Sequence, residues 1–192
     1  MHPFFLEHRN LIETELKNFF TGKKSGISYA GAWGIDLMER FYSFCIQGKM
    51  IRGGLVILGH SLFRDDIPDT VTKTAAAIEI IHSSLLIHDD IMDRDDLRRG
   101  EKTFHIQYME EWKKKGAPEP KHFGESLAIC AGDIGFFLAF DLLSELNTDP
   151  LLRAKILTFW SQELATVGLA QMQDVSLSKF SDSVTRRDIL EL

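Results

Sequence analysis

Residues 70–100 read TVTKTAAAIEIIHSSLLIHDDIMDRDDLRRG, an apolar segment that ends in a dense group of charges. The part from about Thr70 to Asp93 is rich in Ala, Ile and Leu and contains no Gly or Pro, so it predicts one long α-helix. Asp69 stands directly before it, where a helix N-cap is expected. The segment therefore favours a helical fold with its charged groups collected at one helix end.

The rest of the chain also has the pattern of an all-α protein. Its 192 residues contain only 5 prolines, whereas a β-sandwich or barrel needs turn signals about every 8–12 residues. A polar break at Gly22–Gly26 separates the first two predicted helices. Helices are predicted over residues 4–20, 29–47, a segment ending near Phe63, 101–112, 124–146 and 151–175, with a last one starting near Thr185.

Composition and charge exclude several classes of protein. With 28 acidic and 22 basic residues the chain is mildly acidic, which argues against a general nucleic-acid binder. Its 2 cysteines, Cys45 and Cys130, cannot build a disulfide framework or a zinc site. No apolar run is long enough for a transmembrane helix, and the N-terminus does not resemble a signal peptide. We therefore expect a cytoplasmic protein without a transmembrane segment or a nucleic-acid partner.

The charged end of the long helix is dominated by aspartates, which are Asp89, Asp90, Asp93, Asp95 and Asp96. At about 100° per residue, Asp89 lies about 40° and Asp90 about 60° from Asp93 around the helix, so three carboxylates point to one side. Like charges repel there, and the helix dipole also disfavours negative charge at a C-terminus. A bound cation would offset both effects.

The donor set of this cluster favours Mg²⁺ held by Asp89, Asp90 and Asp93, because every donor is a carboxylate oxygen and no cysteine is near. A calcium EF-hand starting at Asp89 is excluded, since its sixth position would be Arg94 instead of Gly and its twelfth Gly100 instead of Glu. The alternative is a solvated acidic helix end whose aspartates pair with neighbouring arginines.

Basic residues accompany the cluster and suit a phosphate-bearing ligand. Arg98 and Arg99 follow the aspartates directly, and arginines beside Mg²⁺-binding carboxylates are what a diphosphate requires. Lys49 and Arg52 are spaced by three residues, which would place both on one helix face. His82 shares the helix face of the cluster about two turns before it. Taken alone, each is better explained as a surface charge or, for His82, as a core histidine.

Together these residues resemble the trans-isoprenyl diphosphate synthases of the polyprenyl synthetase family. Five motifs match in order over nearly the whole chain, and the joined string HDDIMDRDDLRRG is highly specific. The motifs are G-K-x-x-R at Gly48, Lys49 and Arg52; E-x-x-H at Glu79 and His82; DDxxD at Asp89, Asp90 and Asp93; A-G-D at Ala131, Gly132 and Asp133; and G-x-x-Q-x-x-D at Gly168, Gln171 and Asp174.

The resemblance implies an isoprenoid synthase-type helical bundle around a central cavity. Its activity would be Mg²⁺-dependent condensation of isopentenyl diphosphate with an allylic diphosphate. Asp89, Asp90 and Asp93 would hold Mg²⁺ on the allylic diphosphate. Arg98 would contact the same diphosphate, and Gln171 would lie near it or near the cation.

The resemblance also implies a second set of contacts, to isopentenyl diphosphate. Its members would be Lys49, Arg52, His82 and Arg99, while Asp174 would support the site. In the implied reaction the allylic C–O bond ionises, the isopentenyl double bond attacks, and a proton is lost. We further expect a homodimer.

Three departures from the family pattern carry consequences. Gly53 stands where Pro follows the Arg of G-K-x-x-R, which would loosen the backbone. Ala170 stands where a second Gly commonly precedes Gln171. The chain also ends before the family's second aspartate-rich motif, so we expect residues 1–192 to be the N-terminal part of a single, longer synthase domain.

Residues before the first aspartate bear on product length. Ser84 and Leu85 occupy the positions at which bulky aromatics in the family close the pocket and stop growth at farnesyl. Neither is aromatic, and Ile81 lies deeper. The resemblance therefore implies a product of geranylgeranyl length or longer.

Three alternatives remain open. A non-catalytic partner subunit of a heteromeric prenyl synthase would have no need of three clustered aspartates. A helical binding module with a solvated acidic end would bind neither Mg²⁺ nor pyrophosphate. A terpene cyclase shares the acidic motif, but the two basic pairs favour a second diphosphate and therefore chain elongation.

Overall fold

A computed structural model of the chain describes residues 2–26 and 31–177. Nearly all of this part is helical, which confirms the all-α prediction. Its elements are α1 (Pro3–Gly26), α2 (Gly31–Ile46), α3 (Ile51–Ser61), α4 (Asp69–Met92), β1 (Leu97–Arg98), β2 (Glu101–Lys102), α5 (Phe104–Lys114), α6 (Pro120–Ser144) and α7 (Pro150–Leu177).

The chain divides into two compact units, Met1–Asn147 and Thr148–Leu192. In the first unit α4 is central, because it packs against α1, α3 and α6, while α5 packs on α6. In the second, α7 begins where the Asp149 side chain accepts hydrogen bonds from the amides of Leu151 and Leu152, at 2.9 and 3.1 Å. This is N-capping geometry, which satisfies donors that the helix itself leaves free.

Aromatic residues hold the first unit together around α2. The buried Phe41 stacks on Phe20 of α1 and meets Phe104 of α5 edge to face. Phe44, one turn later, also meets Phe104 edge to face, with ring centroids 5.4 Å apart. Such pairs add to the burial of the rings themselves. They fix the end of α2 and the start of the loop that leads to α3.

Helix α1 continues through the polar break expected at Gly22–Gly26 and ends at Gly26. Tertiary ion pairs explain why this expectation was wrong. Lys23 Nζ lies 2.6 Å from Asp141 Oδ2 and 3.0 Å from Glu145 Oε1, both carried by α6 or its C-cap. Contacts to a neighbouring helix thus outweigh the low helix propensity of glycine here.

Helix α4 starts one residue earlier than predicted, so Asp69 is its first residue and not its N-cap. Pro68 takes the cap position in an extended conformation, and its carbonyl accepts hydrogen bonds from the amides of Val71 and Thr72. The Asp69 carboxylate instead pairs with Lys73 at 2.9 Å, an i,i+4 contact on the helix surface.

A small hairpin occupies the start of the helix predicted at 101–112. Strand β1 pairs with β2 in antiparallel register, Leu97 with Lys102 and Arg98 with Glu101. Arg99 and Gly100 form the turn with φ values of 56° and 85°, the positive angles that tight hairpin turns require. The helix itself begins only at Phe104. The helix predicted from Thr185 lies outside the described residues.

Helix α6 is the one described helix that is long and apolar enough to cross a membrane by length and composition. The mean hydropathy of its most apolar window is 1.8, and 44% of that window is buried inside the protein. Because α6 packs on α4 and α5, a core helix explains the same composition.

Candidate active site

The end of α4 carries the three aspartates of the DDxxD motif, and their environments differ. Asp89 is partly exposed, with 33% of its side-chain surface accessible, and Asp93 is exposed at the C-cap position. The Asp90 side chain is fully buried. Asp89 and Asp93 therefore present carboxylates to solvent from one side of the helix, whereas Asp90 points into the protein.

Arg98 lies against this end of α4 and is shared among three carboxylates. Its Nε donates a hydrogen bond to Asp90 Oδ1, and its Nη2 lies 3.3 Å from Asp89 Oδ2 and 3.7 Å from Asp95 Oδ2. Within the described residues, the other oxygen of Asp90 is buried without a hydrogen-bond partner. Arg98 thus connects the hairpin to α4 and offsets the crowded negative charge.

Burial dominates the ionisation of Asp90. It raises the carboxyl pKa to about 6, although the hydrogen bond and positive charge of Arg98 act in the opposite direction. Asp90 therefore remains largely ionised at pH 7. An ionised, fully buried carboxylate needs a charged partner, and Arg98 is that partner.

Two of the three predicted metal ligands, Asp89 and Asp93, are accessible to a cation from solvent. No group of three or more His, Cys, Asp or Glu side chains in the described residues is arranged to hold a metal ion. Mg²⁺ takes one or two carboxylates and completes its shell with waters and phosphate oxygens. Asp89 and Asp93 meet this requirement, while the predicted ligand role of Asp90 stays a prediction.

A basic cavity of about 300 Å³ opens on the other side of the hairpin turn. The loop after α2, the first turn of α3, α4 and the hairpin turn all contribute to it. Its lining residues are Gln47, Gly48, Lys49, Met50, Ile51, Arg52, Glu79, His82 and Arg99. The structure thus brings together all four residues predicted to bind isopentenyl diphosphate.

Lys49 reaches this cavity from a loop and not from a helix. Helix α3 begins at Ile51, after Met50 in a left-handed conformation with φ 50°. The expectation that Lys49 and Arg52 share one helix face is therefore wrong. The two residues converge because a loop and a helix start meet at the same cavity.

Gly48 makes room for Arg99. A Cβ atom at position 48 would lie 3.1 Å from Arg99 Nη1 and 3.3 Å from its Nη2. The guanidinium carbon of Arg99 also lies 6.0 Å from the ring centroid of Phe44, within the range of a cation–π contact. Gly48 of the G-K-x-x-R motif therefore leaves space for the guanidinium group of Arg99, which is distant in sequence.

His82 holds Arg52 through its ring. Arg52 Nη1 and His82 Nε2 are 3.1 Å apart. Since a guanidinium can only donate, Nε2 accepts and the proton of the neutral ring is on Nδ1. Burial, together with the charges of Arg52 and Arg99, lowers the His82 pKa to about 4. His82 is therefore neutral at pH 7 and orients a cation without adding one.

Glu79 binds the start of α3. Its Oε1 accepts a 2.8 Å hydrogen bond from the Gly53 amide, and burial raises its pKa. A Cβ at position 53 would lie 2.8 Å from both the Ala75 carbonyl oxygen and Ile12 Cδ1. Gly53 is thus buried at a close helix contact, and the looser backbone expected from it is not what the structure shows.

The A-G-D motif faces the other side of α4. His88 Nε2 donates to the Ile129 carbonyl at 3.1 Å and lies 3.4 Å from Asp133 Oδ1. A side chain at Gly132 would overlap the His88 ring. The motif therefore fixes the residue that directly precedes the acidic cluster. In the sequence, the A-G-D motif was the one sign of this contact, and it gave no role for His88.

Each of the remaining predicted residues belongs to one of the two units. Gln171 and Asp174 stand three residues apart on α7, in the second unit. Ser84 is fully buried, and a side chain at Gly135 of α6 would overlap both its hydroxyl and the Phe41 ring. Ser84 is therefore a core residue, whereas Leu85 is only half-buried.

Comparison with known proteins places these motifs in one family. The family described as polyprenyl synthetase matches residues 36–191, which is most of the chain. The chain belongs to the polyprenyl synthetase family.

Similar members of this family include archaeal enzymes. A geranylgeranyl diphosphate synthase from Saccharolobus solfataricus is 30% identical over 98% of this chain and 50% of its own length. A short chain isoprenyl diphosphate synthase from Methanocaldococcus jannaschii is 36% identical over 69% of this chain and 36% of its own length. The chain thus spans about half or less of the length of these relatives.

Solved structures of family members share the fold. The geranylgeranyl pyrophosphate synthase of Corynebacterium glutamicum, complexed with isoprenyl diphosphate and magnesium, matches with a TM-score of 0.80 and 28% identity. The match covers 91% of this chain and 51% of that one. A synthetase from Pyrococcus horikoshii matches with a TM-score of 0.75 and 26% identity over 98% of this chain and 51% of that one. These matches confirm the isoprenoid synthase-type fold.

Proposed function

We propose that the chain is part of a trans-prenyl diphosphate synthase, which condenses isopentenyl diphosphate with an allylic diphosphate. The observation that carries the proposal is a pair of oppositely charged sites along α4. Carboxylates of the DDxxD motif reach solvent at its C-terminal end, and the basic cavity is lined by Glu79 and His82 from its middle. The adjacent residues Arg98 and Arg99 serve one site each. Two sites of this kind suit two diphosphates.

The basic cavity is proposed to bind the diphosphate of isopentenyl diphosphate. Lys49, Arg52 and Arg99 line it, and none of them forms an ion pair with a carboxylate of the described residues. Three cations without carboxylate partners attract an anion strongly, and arginine forks match phosphate oxygens. His82 keeps Arg52 directed into the cavity.

The acidic end of α4 is proposed to receive the allylic diphosphate. Asp89 and Asp93 would hold Mg²⁺, which when bound stabilises the charge of a departing pyrophosphate. Arg98 already lies within 3.3 Å of Asp89 and would contribute a further positive charge to the leaving group. The buried pair with Asp90 keeps Arg98 at this position.

The proposed reaction breaks the allylic C–O bond and releases pyrophosphate. The isopentenyl double bond then forms the new C–C bond, and a proton leaves the carbon next to the resulting cation. Leu85 and Ile81 precede Asp89 by about one and two turns of α4 and would supply apolar walls that exclude water from the cation. A terpene cyclase binds one diphosphate, so the basic cavity favours chain elongation over cyclisation.

Three further parts of the proposal concern the whole protein. Residues 1–192 are proposed to belong to one isoprenoid synthase domain, since a solved synthase matches 91% of the chain. The protein is proposed to work as a cytoplasmic homodimer. Its product is proposed to be of geranylgeranyl length or longer, because Leu85 is not aromatic. Leu85→Phe, rather than a change at the core residue Ser84, tests this through a shorter product.

The proposal is tested with the protein as its gene encodes it. Incubation with isopentenyl diphosphate, farnesyl diphosphate and Mg²⁺ should release pyrophosphate and yield a longer prenyl diphosphate. A catalytically silent partner subunit would give no product alone but would still bind pyrophosphate in calorimetry. A solvated helical module would show neither product nor binding heat.

A further inference from the structure

We infer that Glu79 is a positioning residue for the basic cavity, acting as a cap on the first turn of α3. The inference rests on the proposed function, because it names a residue that sets the affinity for isopentenyl diphosphate without touching it. Glu79 is only 4% exposed, and the proposed chemistry gives it no other task.

The contacts of Glu79 are those of a capping residue supplied by another helix. Its carboxylate oxygen Oε1 accepts a hydrogen bond from the backbone amide of Gly53, at 2.8 Å. The residue at the N-cap position, Met50, makes no side-chain hydrogen bond to the helix. Since a helix start leaves its first amides without partners, Glu79 supplies what Met50 cannot.

A second acceptor on α4, His82, holds the guanidinium group of Arg52. His82, three positions after Glu79 and on the same helix face, accepts from the Arg52 guanidinium at 3.1 Å. The first turn of α3 is thus held at the Gly53 amide by Glu79 and at the Arg52 side chain by His82. Gly53 allows α3 to approach α4 closely enough for both contacts.

This arrangement also decides where an anion can bind. A helix N-terminus with free amides attracts phosphate, but the Gly53 amide is already occupied by a carboxylate. The side chains of Lys49, Arg52 and Arg99, which line the cavity, therefore carry more of the diphosphate binding than the helix end does. Glu79 thereby directs the substrate away from the helix end and towards the three cations.

The test compares Glu79→Met, which removes the acceptors at similar volume, with Glu79→Gln, which keeps one carbonyl acceptor. Glu79→Met should raise the KM for isopentenyl diphosphate roughly tenfold or more and leave the KM for the allylic substrate within about twofold. Glu79→Gln should keep both KM values within about threefold of the wild type. Leu142→Ala, at a buried site of α6, serves as a control for general loss of stability.

Amide hydrogen exchange supplies a readout that does not need activity. Exchange of the Gly53 amide should accelerate at least about tenfold in Glu79→Met and stay near the wild-type rate in Glu79→Gln and Leu142→Ala. Unchanged exchange in Glu79→Met, an equal rise of both KM values, or a Glu79→Gln variant as impaired as Glu79→Met would overturn the inference. A wild type without activity but with this exchange pattern would instead count only against the proposed function.

Discussion

The acidic end of α4 and the basic cavity differ in how far their charges are offset by other groups of the protein. At the acidic end, Arg98 is shared among Asp89, Asp90 and Asp95, so part of the negative charge is offset within the protein. In the basic cavity, the buried carboxylate of Glu79 accepts a hydrogen bond from the Gly53 amide and forms no ion pair with Lys49, Arg52 or Arg99 within the described residues. The first site is therefore partly neutralised by the protein itself, whereas the second is left with a surplus of positive charge that a diphosphate can neutralise.

The largest effect is expected at the exposed aspartates of the acidic end. Asp89→Ala and Asp93→Ala should each lower kcat by about a hundredfold or more, because each removes a proposed ligand of the metal that stabilises the leaving group. The free energy of unfolding should change by less than about 1 kcal/mol, since the removal of like charges is set against the loss of the Asp89 contact to Arg98. Steady-state kinetics and urea unfolding measure both quantities.

Asp96→Ala is the matched control for this comparison, since Asp96 belongs to the same acidic segment and is exposed. Its kcat should stay within about twofold of the wild type. An equal loss of kcat in all three variants would show that only the overall charge of the segment matters, and not two particular ligands.

Substitution of Asp90, the buried aspartate of the DDxxD motif, should lower the free energy of unfolding. Asp90→Ala leaves Arg98 without its buried partner and should lower the free energy of unfolding by about 3 kcal/mol. Asp95→Ala removes an exposed partner of the same arginine, 3.7 Å away, and should cost less than about 1 kcal/mol. Urea unfolding monitored by circular dichroism gives both values.

If Asp90→Ala were as stable as Asp95→Ala while its activity fell with that of Asp89→Ala, Asp90 would be a metal ligand first and a structural anchor second. That outcome would restore the three-ligand site and remove the distinction drawn between exposed and buried aspartates.

A smaller effect, on the KM for isopentenyl diphosphate, is expected from substitution of Gly48 beside the basic cavity. Gly48→Ala places a methyl group 3.1 Å from Arg99 Nη1, which should displace the guanidinium and raise the KM for isopentenyl diphosphate about fivefold. Gly59→Ala in α3 is the control, because nothing lies within 4 Å of its Cβ position. It should leave the KM unchanged and stabilise the helix slightly. Equal KM values in the two variants would separate Arg99 from substrate binding.

The smallest effect concerns the pH dependence of stability. The His82 pKa is lowered from 6.5 to about 4 in the folded protein, so the unfolded chain binds more protons between these values. The contribution of His82 to stability should be present above pH 6.5 and be lost as the pH falls towards 4. His82→Gln should flatten this part of the stability curve. An identical pH dependence in both proteins would contradict the neutral, arginine-oriented ring.

Local patterns in the sequence were enough to predict the acidic end. Asp89, Asp90 and Asp93 follow one another on one helix, so spacing alone places them near each other. The burial of Asp90 could not be predicted, because it depends on Arg98 returning from the hairpin to meet it. The turn at Arg99 and Gly100 that makes this possible lies between the helices predicted over 70–93 and 101–112, where no strand pairing was predicted.

The basic cavity was predicted through family resemblance and not through spacing. Lys49 lies in a loop, and helical periodicity gave the wrong reason for its position near Arg52. Three contacts come from separate segments that only the tertiary fold joins: Gly48 with Arg99, Glu79 with the Gly53 amide, and His82 with the Arg52 head. No periodic pattern in a single segment carries that information.

Calorimetric titration with isopentenyl diphosphate in the absence of divalent metal tests the division between the two sites most directly. If the basic cavity is the isopentenyl diphosphate site, binding should occur without Mg²⁺, persist in Asp89→Ala and weaken at least about tenfold in Arg52→Ala. Binding that requires Mg²⁺, disappears in Asp89→Ala and survives Arg52→Ala would contradict the account.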